Sequence, residues 1–594
     1  MQPQPSKAAP AEVLLRAPAI KHLRIERFRG IRSLAWRPAE GVNVILGGGD
    51  VCKTTILEAI GFLFSPTNAV ALSDADYHQR AIDGGFAIEA VVSLPPASGI
   101  NLQLKPAWPW SWNGVEAVLP STEGEGWATA QQVYRLRACG TPDLELTHEI
   151  LQPDGTADIL SVGLRRSIGL VRLGGDDRND RDLRLVQGSG LDRLLSDKSL
   201  RSRVASELAK TEVKTNLTVE AGKVLQDLDL AFRKQSLPSG LDLSITGGPG
   251  ASIASMIGLT ATAEGVQLPL ASWGAGTRRL AALVIAEQNQ GEAPITLVDE
   301  VERGLEPYRQ RELLRKLQEG ASQVFLTTHS PSALKAAAKA SLWYLDHGGN
   351  IGILERGKVD HHRRQDPDTF LSRLAIVAEG ATEVGFATAL LERAFGSPLD
   401  QHGIHISDGG GHERSLGLLE ALGLAGLRFG GFGDNEGKHP VRWEKVAAAQ
   451  GPLLFRWPSG CLEENIIGAV PTEQLEALLL DPAEERTGRR LRTLADRLGI
   501  AEKDFSAIAA TAGADLGALV RDAALGTVPR GKETESKEYK AHAQVWFKSV
   551  LGGRELEGKV FSLGLWPTFR DILLPFCNAI LGAATLPEVV DFAE

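Results

Sequence analysis

The stretch LGGGDVCKTT, residues 46–55, has the spacing of a phosphate-binding loop with one departure. The pattern G-x-x-x-x-G-K-[ST] is matched by Gly47, Lys53 and Thr54, whereas Cys52 stands where the pattern has its second glycine. The apolar run GVNVILG before the loop predicts a buried strand, and KTTILEAIGFLF has the apolar spacing of a helix. Because a strand, a glycine-rich loop and a helix are the context that such a loop requires, the sequence predicts a nucleotide-binding α/β fold.

Later stretches supply the other parts of an ATP site. ITLVDE predicts a strand after which Asp299 holds Mg²⁺ through water and Glu300 polarises the attacking water. LTTHS places His329 at the end of another strand, where it can sense the γ-phosphate, although acids and a single histidine in such places are also common structural residues. ASWGAGTRRLAALVIA begins a helix whose first amides can bind a phosphate. The candidate nucleotide-binding residues are Gly47, Gly49, Cys52, Lys53, Thr54, Thr55, Ser272, Gly274, Gly276, Asp299 and His329, with Thr54 and Asp299 as the Mg²⁺ ligands.

The order of these parts resembles the ABC-type ATPase head of SMC and RecF-like proteins. VERGLEP after the acidic pair and FRGIRSL near the N-terminus are similar to segments of that family. The resemblance implies an ATP-sandwiched dimer, in which the Ser/Gly signature of one subunit closes over ATP bound by the other. In this setting Cys52 leaves two outcomes open, a weakened nucleotide affinity or impaired hydrolysis, and its thiol can also make the site sensitive to oxidation.

A second group of motifs places carboxylates at the predicted ends of further strands. VAEGATE contains Glu379 and Glu383, and HISDGGG contains Asp408. FGGFGDNEG supplies Asp434 and Glu436, and RWPSGCLEENII continues the series. Acids crowded at the carboxyl edge of a sheet repel one another unless cations lie among them, which favours Mg²⁺ or Mn²⁺, whereas solvated surface carboxylates are the alternative. The candidate metal ligands in this half are Glu379, Glu383, Asp408, Asp434, Glu436, Ser459 and Glu463.

The E-G-x-T-E string, followed by D-G-G-G and G-D-x-E, resembles the Toprim domain of topoisomerases, primases and a group of nucleases. An ABC-type ATPase followed by Toprim resembles, over almost the whole chain, the OLD (overcoming lysogenisation defect) family of ATP-dependent nucleases. The resemblance implies two-metal DNA cleavage, a role in phage defence or DNA repair, and a lysine after the last acidic motif. Lys548, between apolar residues, is preferred over Lys532, Lys537 and Lys540 in their charged stretch. The candidate catalytic residues are Glu379, Glu383, Asp408, Asp434, Glu436, Glu463, Lys548 and Glu300.

Composition bounds these interpretations. The 594 residues are 43% hydrophobic with a net charge of −10, so the total charge does not indicate a nucleic-acid binder, although a local basic groove remains compatible with it. The four cysteines contain no CxxC pair and support neither a disulfide framework nor a zinc site. The start does not resemble a signal peptide, and no apolar run reaches the ~18 residues that span a bilayer. We therefore expect a cytoplasmic protein without a membrane partner.

We predict an N-terminal ABC-type P-loop ATPase in two parts, 1–165 and 241–365, around a helical dimerisation insert at 166–240. A Toprim domain of Rossmann-like α/β fold with C-terminal helical elements follows at 366–594. The predicted function is an ATP-regulated, divalent-metal-dependent DNA endonuclease or exonuclease that uses ATP and Mg²⁺ or Mn²⁺. We expect a homodimer that binds DNA, and a defence-system partner protein is compatible with it. One alternative is an ATP-switched DNA clamp or sensor without nuclease activity. Another, a topoisomerase-like transesterase, needs a catalytic tyrosine, and none of the five tyrosines has a suitable setting.

Overall fold

The structure is a computed structural model. It describes residues 17–592 apart from 69, 96–97, 103–104, 121–130, 174–182, 187–188, 196–216, 246–256, 289–293, 482–485, 530–533, 535 and 590. Part of the predicted helical insert and Lys532 lie outside the described residues. Contacts divide the chain into two compact units, of which the first is Met1–Leu46 with Cys52–Trp343 and the second is Gly47–Val51 with Tyr344–Glu594.

The strands in chain order are β1 (Ala19–Phe28), β2 (Ile31–Trp36), β3 (Val42–Leu46), β4 (Phe86–Ser93), β5 (Trp110–Trp112), β6 (Ala117–Val118), β7 (Gln131–Gly140), β8 (Leu146–Leu151), β9 (Ala157–Ile159), β10 (Leu170–Leu173), β11 (Asp242–Ile245), β12 (Ile257–Ala263), β13 (Val266–Pro269), β14 (Ile295–Val298), β15 (Val324–Thr327), β16 (Ser341–Leu345), β17 (Ile351–Ile353), β18 (Leu374–Ala378), β19 (Ile404–Asp408), β20 (Gly430–Gly433) and β21 (Leu454–Arg456).

The α-helices in chain order are α1 (Lys53–Leu63), α2 (Val162–Ile168), α3 (Gly190–Leu195), α4 (Val219–Lys234), α5 (Ala275–Gln288), α6 (Pro307–Glu319), α7 (Pro331–Ala336), α8 (Arg356–Gln365), α9 (Ala381–Phe395), α10 (His412–Leu424), α11 (Pro440–Gln450), α12 (Leu462–Ala469), α13 (Leu475–Leu479), α14 (Thr487–Leu498), α15 (Phe505–Ala512), α16 (Leu516–Leu525), α17 (Ser536–Ala543), α18 (Val550–Ser562) and α19 (Trp566–Ala583).

The first unit contains two antiparallel sheets and a parallel one. The larger antiparallel sheet has the order β2-β1-β4-β7-β5-β6, with β8 and β9 continuing from β7, and the smaller one has the order β11-β12-β13. In the parallel sheet β10, β14, β15 and β3 pair in that order, and the side chains of β3, β14 and β15 are all buried. Because the carboxyl ends of parallel strands share one edge, the segments after β14 and β15 reach the same side as the start of α1.

The predicted strands and helices of this unit are confirmed in position, with one difference inside the predicted helical insert. The antiparallel pair β1–β2, the buried strand β3 and helix α1 lie where the periodicity places them. Helices α3 and α4 confirm the helical character of their segments. Leu170–Leu173, however, is a strand paired with β14. A four-residue apolar stretch has no periodicity that separates a strand from a helix, which explains the difference.

The second unit is built on a four-stranded parallel sheet of order β19-β18-β20-β21. Its apolar core continues from the sheet into the C-terminal helices, where Trp457 stacks edge-on against Phe455 at 5.2 Å and Phe569 at 5.7 Å between ring centroids. Helix α9 follows β18 and helix α10 follows β19, so each begins at the carboxyl edge of the sheet. Among the described residues, no helix is both long enough and apolar enough to cross a bilayer.

Candidate active site

The candidate site of the second unit lies at the carboxyl edge of its parallel sheet. Strand β18 ends at Ala378, and Glu379 follows, donating its N–H to Phe432 O at 3.0 Å. Strand β20 ends at Gly433, and Asp434 follows it. Because β18 and β20 are adjacent and parallel, the two carboxylates emerge side by side, and the Asp434 N–H donates to Glu379 Oε2 at 3.2 Å.

A glycine loop after β19 wraps the Glu379 backbone. Gly409 donates its N–H to Ala378 O at 2.7 Å, and Gly411 donates to Glu379 O at 2.8 Å. A Cβ on Gly409 would lie 2.6 Å from Ala378 O, so only glycine permits this approach. The glycines predicted from the D-G-G-G string therefore hold Glu379 in place.

The remaining two buried acids come from the first turns of helices. Glu383 lies in α9 and Glu463 in α12, and both residues are buried. The Thr382 hydroxyl lies 3.2 Å from Glu463 Oε1 and 3.3 Å from Phe547 O. Carboxylates at helix N-termini are favoured by the helix dipole, which offsets part of the cost of burying them.

One cavity of about 480 Å³ collects these side chains. Its lining residues are Glu379, Gly380, Ala381, Thr382, Glu383, Gly411, Asp434, Glu436, Cys461, Glu463, Glu464, Leu525 and Lys548.

Electrostatic repulsion inside the cavity is strong. Burial, followed by the charges of Glu463 and Glu379, raises the pKa of Glu383 to about 8. Burial, followed by Glu383, Glu379 and Glu463, raises the pKa of Asp434 to about 9, even though Asp434 Oδ1 accepts a hydrogen bond from the Leu462 N–H at 3.0 Å. The cavity therefore concentrates more negative charge than its own hydrogen bonds neutralise.

Lys548 lines the cavity from the segment just before α18. Its charge lowers the pKa of Glu383, against the larger effect of burial, and contributes to the lowered pKa of Glu436 after the nearer Lys438. The side chain is exposed, although apolar residues flank it in the sequence. Lys537 and Lys540 are on α17 and are not lining residues.

Close helix packing sets the position of Lys548. A Cβ on Gly385 of α9 would lie 1.9 Å from Val550 O. A Cβ on Gly553 of α18 would lie 2.0 Å from Thr382 O. The two helices therefore touch backbone to backbone, and this contact brings the segment with Lys548 beside the acids.

Two predicted ligands lie outside the lining. Asp408 is exposed, and its Oδ1 accepts the Gly410 N–H at 2.8 Å. Ser459 does not line the cavity, and its carbonyl accepts a hydrogen bond from Asn465 Nδ2 at 2.7 Å. The structure thus separates these two from the other five predicted ligands, all of which line the cavity.

The sequence did not single out Thr382 or Cys461 as part of this site. Thr382 lies inside the E-G-x-T-E string, which is a signal that could have identified it. Cys461 lies beside Glu463, and burial, followed by that charge, raises the pKa of its thiol. Among the described residues, no group of three or more His, Cys, Asp or Glu side chains already has the arrangement of a metal site.

In the first unit, the predicted ATPase residues meet at the edge of the parallel sheet. Thr54 on α1 donates to Asp299 Oδ1 at 3.1 Å, and Thr327 donates to the same oxygen at 2.7 Å. The Glu300 N–H donates to Thr327 Oγ1 at 2.8 Å, so this hydroxyl ties both acids after β14 to the end of β15. Lys53, the first residue of α1, is buried.

His329 belongs to the same group. Its backbone N–H donates to Glu302 Oε1 at 2.7 Å. Burial, followed by the charge of Lys53, lowers the pKa of His329, while Glu302, Glu300 and Asp299 oppose that shift. The imidazole is therefore close to both the lysine and the acids and is held neutral.

Cys52 occupies a backbone conformation that glycine adopts without strain. It precedes α1 with φ 70° and ψ 21° in the left-handed region, and its sulfur would lie 2.6 Å from a Cβ on Gly30. Gly47 has φ 132°, whereas a Cβ on Gly49 would meet open space. Thr55 is a half-buried residue of α1.

The Ser/Gly-rich helix start packs on the turn that follows the acidic pair. A Cβ on Gly276 would lie 2.1 Å from Gly304 O, whereas Gly274 meets nothing within 4 Å. Ser272 is exposed and donates to Pro269 O at 2.7 Å.

Arg279, which the sequence did not single out, joins that helix to the acidic turn. Its guanidinium donates to Glu300 O at 2.7 Å, to Arg303 O at 3.0 Å and also to Asp299 O. The side chain is buried, and the loss of hydration lowers its pKa to about 10.

Two family models match the chain. The first, described as "AAA domain, putative AbiEii toxin, Type IV TA system", matches residues 184–335. The second, described as "Overcoming lysogenization defect protein-like, TOPRIM domain", matches residues 370–427. The two matches are to an ATPase domain and an OLD-like Toprim domain, which is the domain pair of an OLD-family ATPase–Toprim fusion. A mixed α/β fold with an N-terminal ATPase domain followed by a Toprim domain agrees with the predicted fold class.

Solved structures with a similar fold include SMC heads and RecF. An SMC head bound to the C-terminal winged-helix domain of ScpA is 14% identical, with a TM-score of 0.38, and covers 58% of this chain and 99% of its own. RecF with ATP is 14% identical, with a TM-score of 0.36, and the match covers 57% of this chain and 99% of the RecF chain. The SMC head domain from Thermotoga maritima is 15% identical, with a TM-score of 0.27, and the match covers 57% of this chain and 99% of the SMC chain. No curated protein sequence matches the chain.

The two domains of this ATPase–Toprim fusion together imply an enzyme that uses a nucleotide and a divalent metal. They are the domain pair of ATP-dependent nucleases.

Proposed function

We propose that the ATPase–Toprim chain is an ATP-regulated, divalent-metal-dependent DNA nuclease that hydrolyses phosphodiester bonds in the acid-lined cavity. The observation that carries the proposal is the gathering of Glu379, Glu383, Asp434 and Glu463 with Lys548 in one cavity at the carboxyl edge of a parallel sheet. The domain pair points to the setting of phage defence or DNA repair, with a homodimer as the working unit.

The donor chemistry of the cavity fits a hard divalent cation. Its carboxylates offer oxygen atoms, which Mg²⁺ and Mn²⁺ prefer. Burial, followed by the charges of neighbouring carboxylates, raises the pKa values of Glu383 and Asp434, and a bound cation would oppose both effects. Glu379, Glu383, Asp434, Glu436 and Glu463 would hold such ions. Bound there, a divalent ion would supply an activated water and charge neutralisation at a phosphodiester.

Different residues of the chain contribute to this chemistry in different ways, by fixing carboxylates, by supplying a positive charge or by holding a proton. Thr382 fixes the Glu463 carboxylate by a hydrogen bond, and the Leu462 N–H fixes that of Asp434. Lys548 presents a positive charge beside Glu383, where it can stabilise the negative charge that develops on a phosphate under attack. Glu383 and Asp434 retain protons near neutral pH, so binding of a divalent ion must be accompanied by proton release.

Plasmid cleavage tests the proposal. Purified protein is incubated with supercoiled plasmid and Mg²⁺ or Mn²⁺, with and without ATP, beside the variant Glu379→Gln. We expect nicked or linear product that requires the metal and falls at least about 100-fold in the variant, because the variant loses one of the carboxylates that hold the metal. Intact plasmid under all metal and nucleotide conditions would contradict nuclease activity.

A second candidate function is an ATP-switched DNA clamp or sensor that does not cut. One observation favours it: in the part of the chain that the structure describes, the acids line the cavity without forming a ready metal site. Its sign in the same experiment would be DNA binding that responds to ATP while the plasmid stays intact.

In the ATPase domain, Lys53 and Thr54 are the proposed phosphate and Mg²⁺ contacts, Asp299 the second Mg²⁺ contact, Glu300 the group that polarises water, and His329 the sensor of the γ-phosphate. The hydrogen bond from Thr54 to Asp299 supports this assignment because both would share one ion.

Cys52→Gly is expected to tighten nucleotide binding about 5- to 10-fold. The glycine removes a Cβ and a sulfur atom from the phosphate-binding loop, so the backbone can approach the phosphates, whereas relief of the left-handed strain stabilises the protein equally with and without nucleotide. Cys52→Ala is the matched control because it removes the sulfur but keeps the Cβ and the strain. Titration with a fluorescent ATP analogue distinguishes the two causes: recovery with glycine alone indicates the backbone, whereas equal recovery with alanine would show that the sulfur is the obstacle.

A further inference from the structure

A row of basic side chains lies beside the cavity, on α8 and the start of α10. Lys358, His361 and Arg364 are exposed at three-residue spacing along α8, so they share one side of that helix. Arg414 is exposed in the first turn of α10. These four residues are called the basic strip.

The basic strip meets the cavity at the glycine loop. A Cβ on Gly410 would lie 3.3 Å from Arg414 Nη1 and 3.5 Å from His361 Nε2, so both side chains flank this glycine. The next residue, Gly411, lines the cavity and donates its N–H to Glu379 O at 2.8 Å. The strip therefore begins at the rim of the acid-lined cavity.

The charges of the strip are not neutralised by neighbouring acids. Asp360 on the same helix is paired with Arg363, with Arg363 Nε 3.0 Å from Asp360 Oδ1. Glu413 is paired with His439 at 2.5 Å and with Arg442 at 3.2 Å. In the described part of the chain, none of the four side chains of the strip forms an ion pair with a carboxylate, and two of them, His361 and Arg414, lie at the glycine loop beside the cavity.

The inner side of α8 keeps the strip fixed. Val359, His362 and Arg363 are buried, and Asp408 at the end of β19 lies against His362 through its backbone. The helix therefore cannot swing its cationic side away from the cavity without exposing these buried groups.

We propose that the basic strip holds the phosphate backbone of a DNA strand and leads one phosphodiester into the acid-lined cavity. This inference rests on the proposed nuclease function. Lys548 is the basic side chain in a lining of acids, so a strand needs a further cationic surface beside the cavity to approach it. Exposed lysine and arginine side chains in a row supply that attraction without reading the base sequence.

The test uses the full-length protein in EDTA without nucleotide, so that binding is measured without cleavage. The strip variant combines Lys358→Gln, Arg364→Gln and Arg414→Gln. The control variant combines Arg489→Gln, Arg492→Gln and Lys503→Gln, which removes three exposed positive charges elsewhere in the same unit. Fluorescence anisotropy gives the Kd for a labelled DNA at several salt concentrations.

We expect the strip variant to bind DNA at least about tenfold more weakly and the slope of log affinity against log salt to fall by about 2 to 3, because each phosphate contact contributes about 0.9. The control variant should keep the affinity and slope of the unmodified protein. Equal losses in both variants, or no loss in the strip variant, would overturn the proposal.

Hydrolysis of bis(4-nitrophenyl) phosphate with Mn²⁺ separates the strip from the chemistry, because this small diester has no strand for the strip to hold. We expect the unmodified protein and the strip variant to hydrolyse it at the same rate. If plasmid stays intact under all metal and nucleotide conditions while the strip variant alone loses DNA affinity, the strip is supported and the proposed nuclease function fails.

Discussion

Asp434→Asn is expected to lower DNA cleavage at least about 1000-fold while making the metal-free protein more stable at pH 8. Loss of cleavage follows because Asp434 lines the cavity between Glu379 and the start of α12, where a ligand to the metal is removed. The gain in stability follows because the folded protein must keep Asp434 protonated at pH 8, at a cost in free energy, whereas asparagine is neutral at every pH and keeps the oxygen that accepts the Leu462 N–H.

The sign of the pH dependence follows from the raised pKa of Asp434. The pKa is about 9 in the folded protein, whereas an unfolded aspartate has a pKa of about 3.9. Between these values the folded state binds more protons, so stability falls as the pH rises from about 4 to about 9. The variant should therefore match the unmodified protein at pH 4 and exceed it at pH 8 by about 1–3 kcal/mol, or about 3 °C in Tm for each kcal/mol.

Thermal unfolding in EDTA between pH 4 and pH 8 measures this difference. Glu436→Gln is the control, because Lys438 lowers the pKa of this exposed side chain and its neutralisation should not stabilise the fold. Added Mn²⁺ should raise the Tm of the unmodified protein at pH 8 more than that of Asp434→Asn. An Asp434→Asn protein that is less stable than the unmodified one at pH 8 would contradict the electrostatic account of the cavity.

The elements of the fold that the sequence predicts best are those encoded locally. Strand β3 and helix α1 are set by a short apolar run, a glycine-rich loop and helical periodicity, all within about 20 residues. The carboxyl edge of the Toprim sheet could be predicted in the same way. Acidic residues directly follow the predicted strands, and the carboxyl ends of parallel strands share one edge. Glu379 and Asp434 could therefore be placed together from the sequence.

Other features depend on contacts between distant segments and could not be predicted from periodicity. In the sequence, Asp408 and Ser459 lie close to the glycines and acids of the predicted metal site. The direction of their side chains is set by local turns, however, and neither residue lines the cavity. Arg279 looks like an ordinary helical residue, yet its partners are backbone carbonyls of the acidic turn after β14. Every residue has a backbone carbonyl, so no residue type in the sequence identifies the hydrogen-bond partners of Arg279.

The contact between α9 and α18 is of the same kind, and its effect can be measured. Gly553→Ala is expected to destabilise the protein by about 1–3 kcal/mol and to lower DNA cleavage about 100-fold. The added Cβ would lie 2.0 Å from Thr382 O and 2.7 Å from the Phe386 N atom, so the helices must separate. Separation displaces Lys548 and Thr382 relative to the acids, and a shift of about 1 Å in such groups can cost about 100-fold in rate.

Gly558→Ala is the matched control, because Gly558 is in the same helix and a Cβ there would meet nothing within 4 Å. Because there is room for the Cβ, alanine should stabilise this half-buried helical position by about 0.4–1 kcal/mol through a lower entropy of the unfolded chain and leave cleavage unchanged. Urea unfolding should show that Gly553→Ala lowers the stability and Gly558→Ala raises it. Plasmid cleavage should be slower in Gly553→Ala only. If Gly553→Ala cleaved DNA at the unmodified rate, close packing of α18 on α9 would not be what positions Lys548.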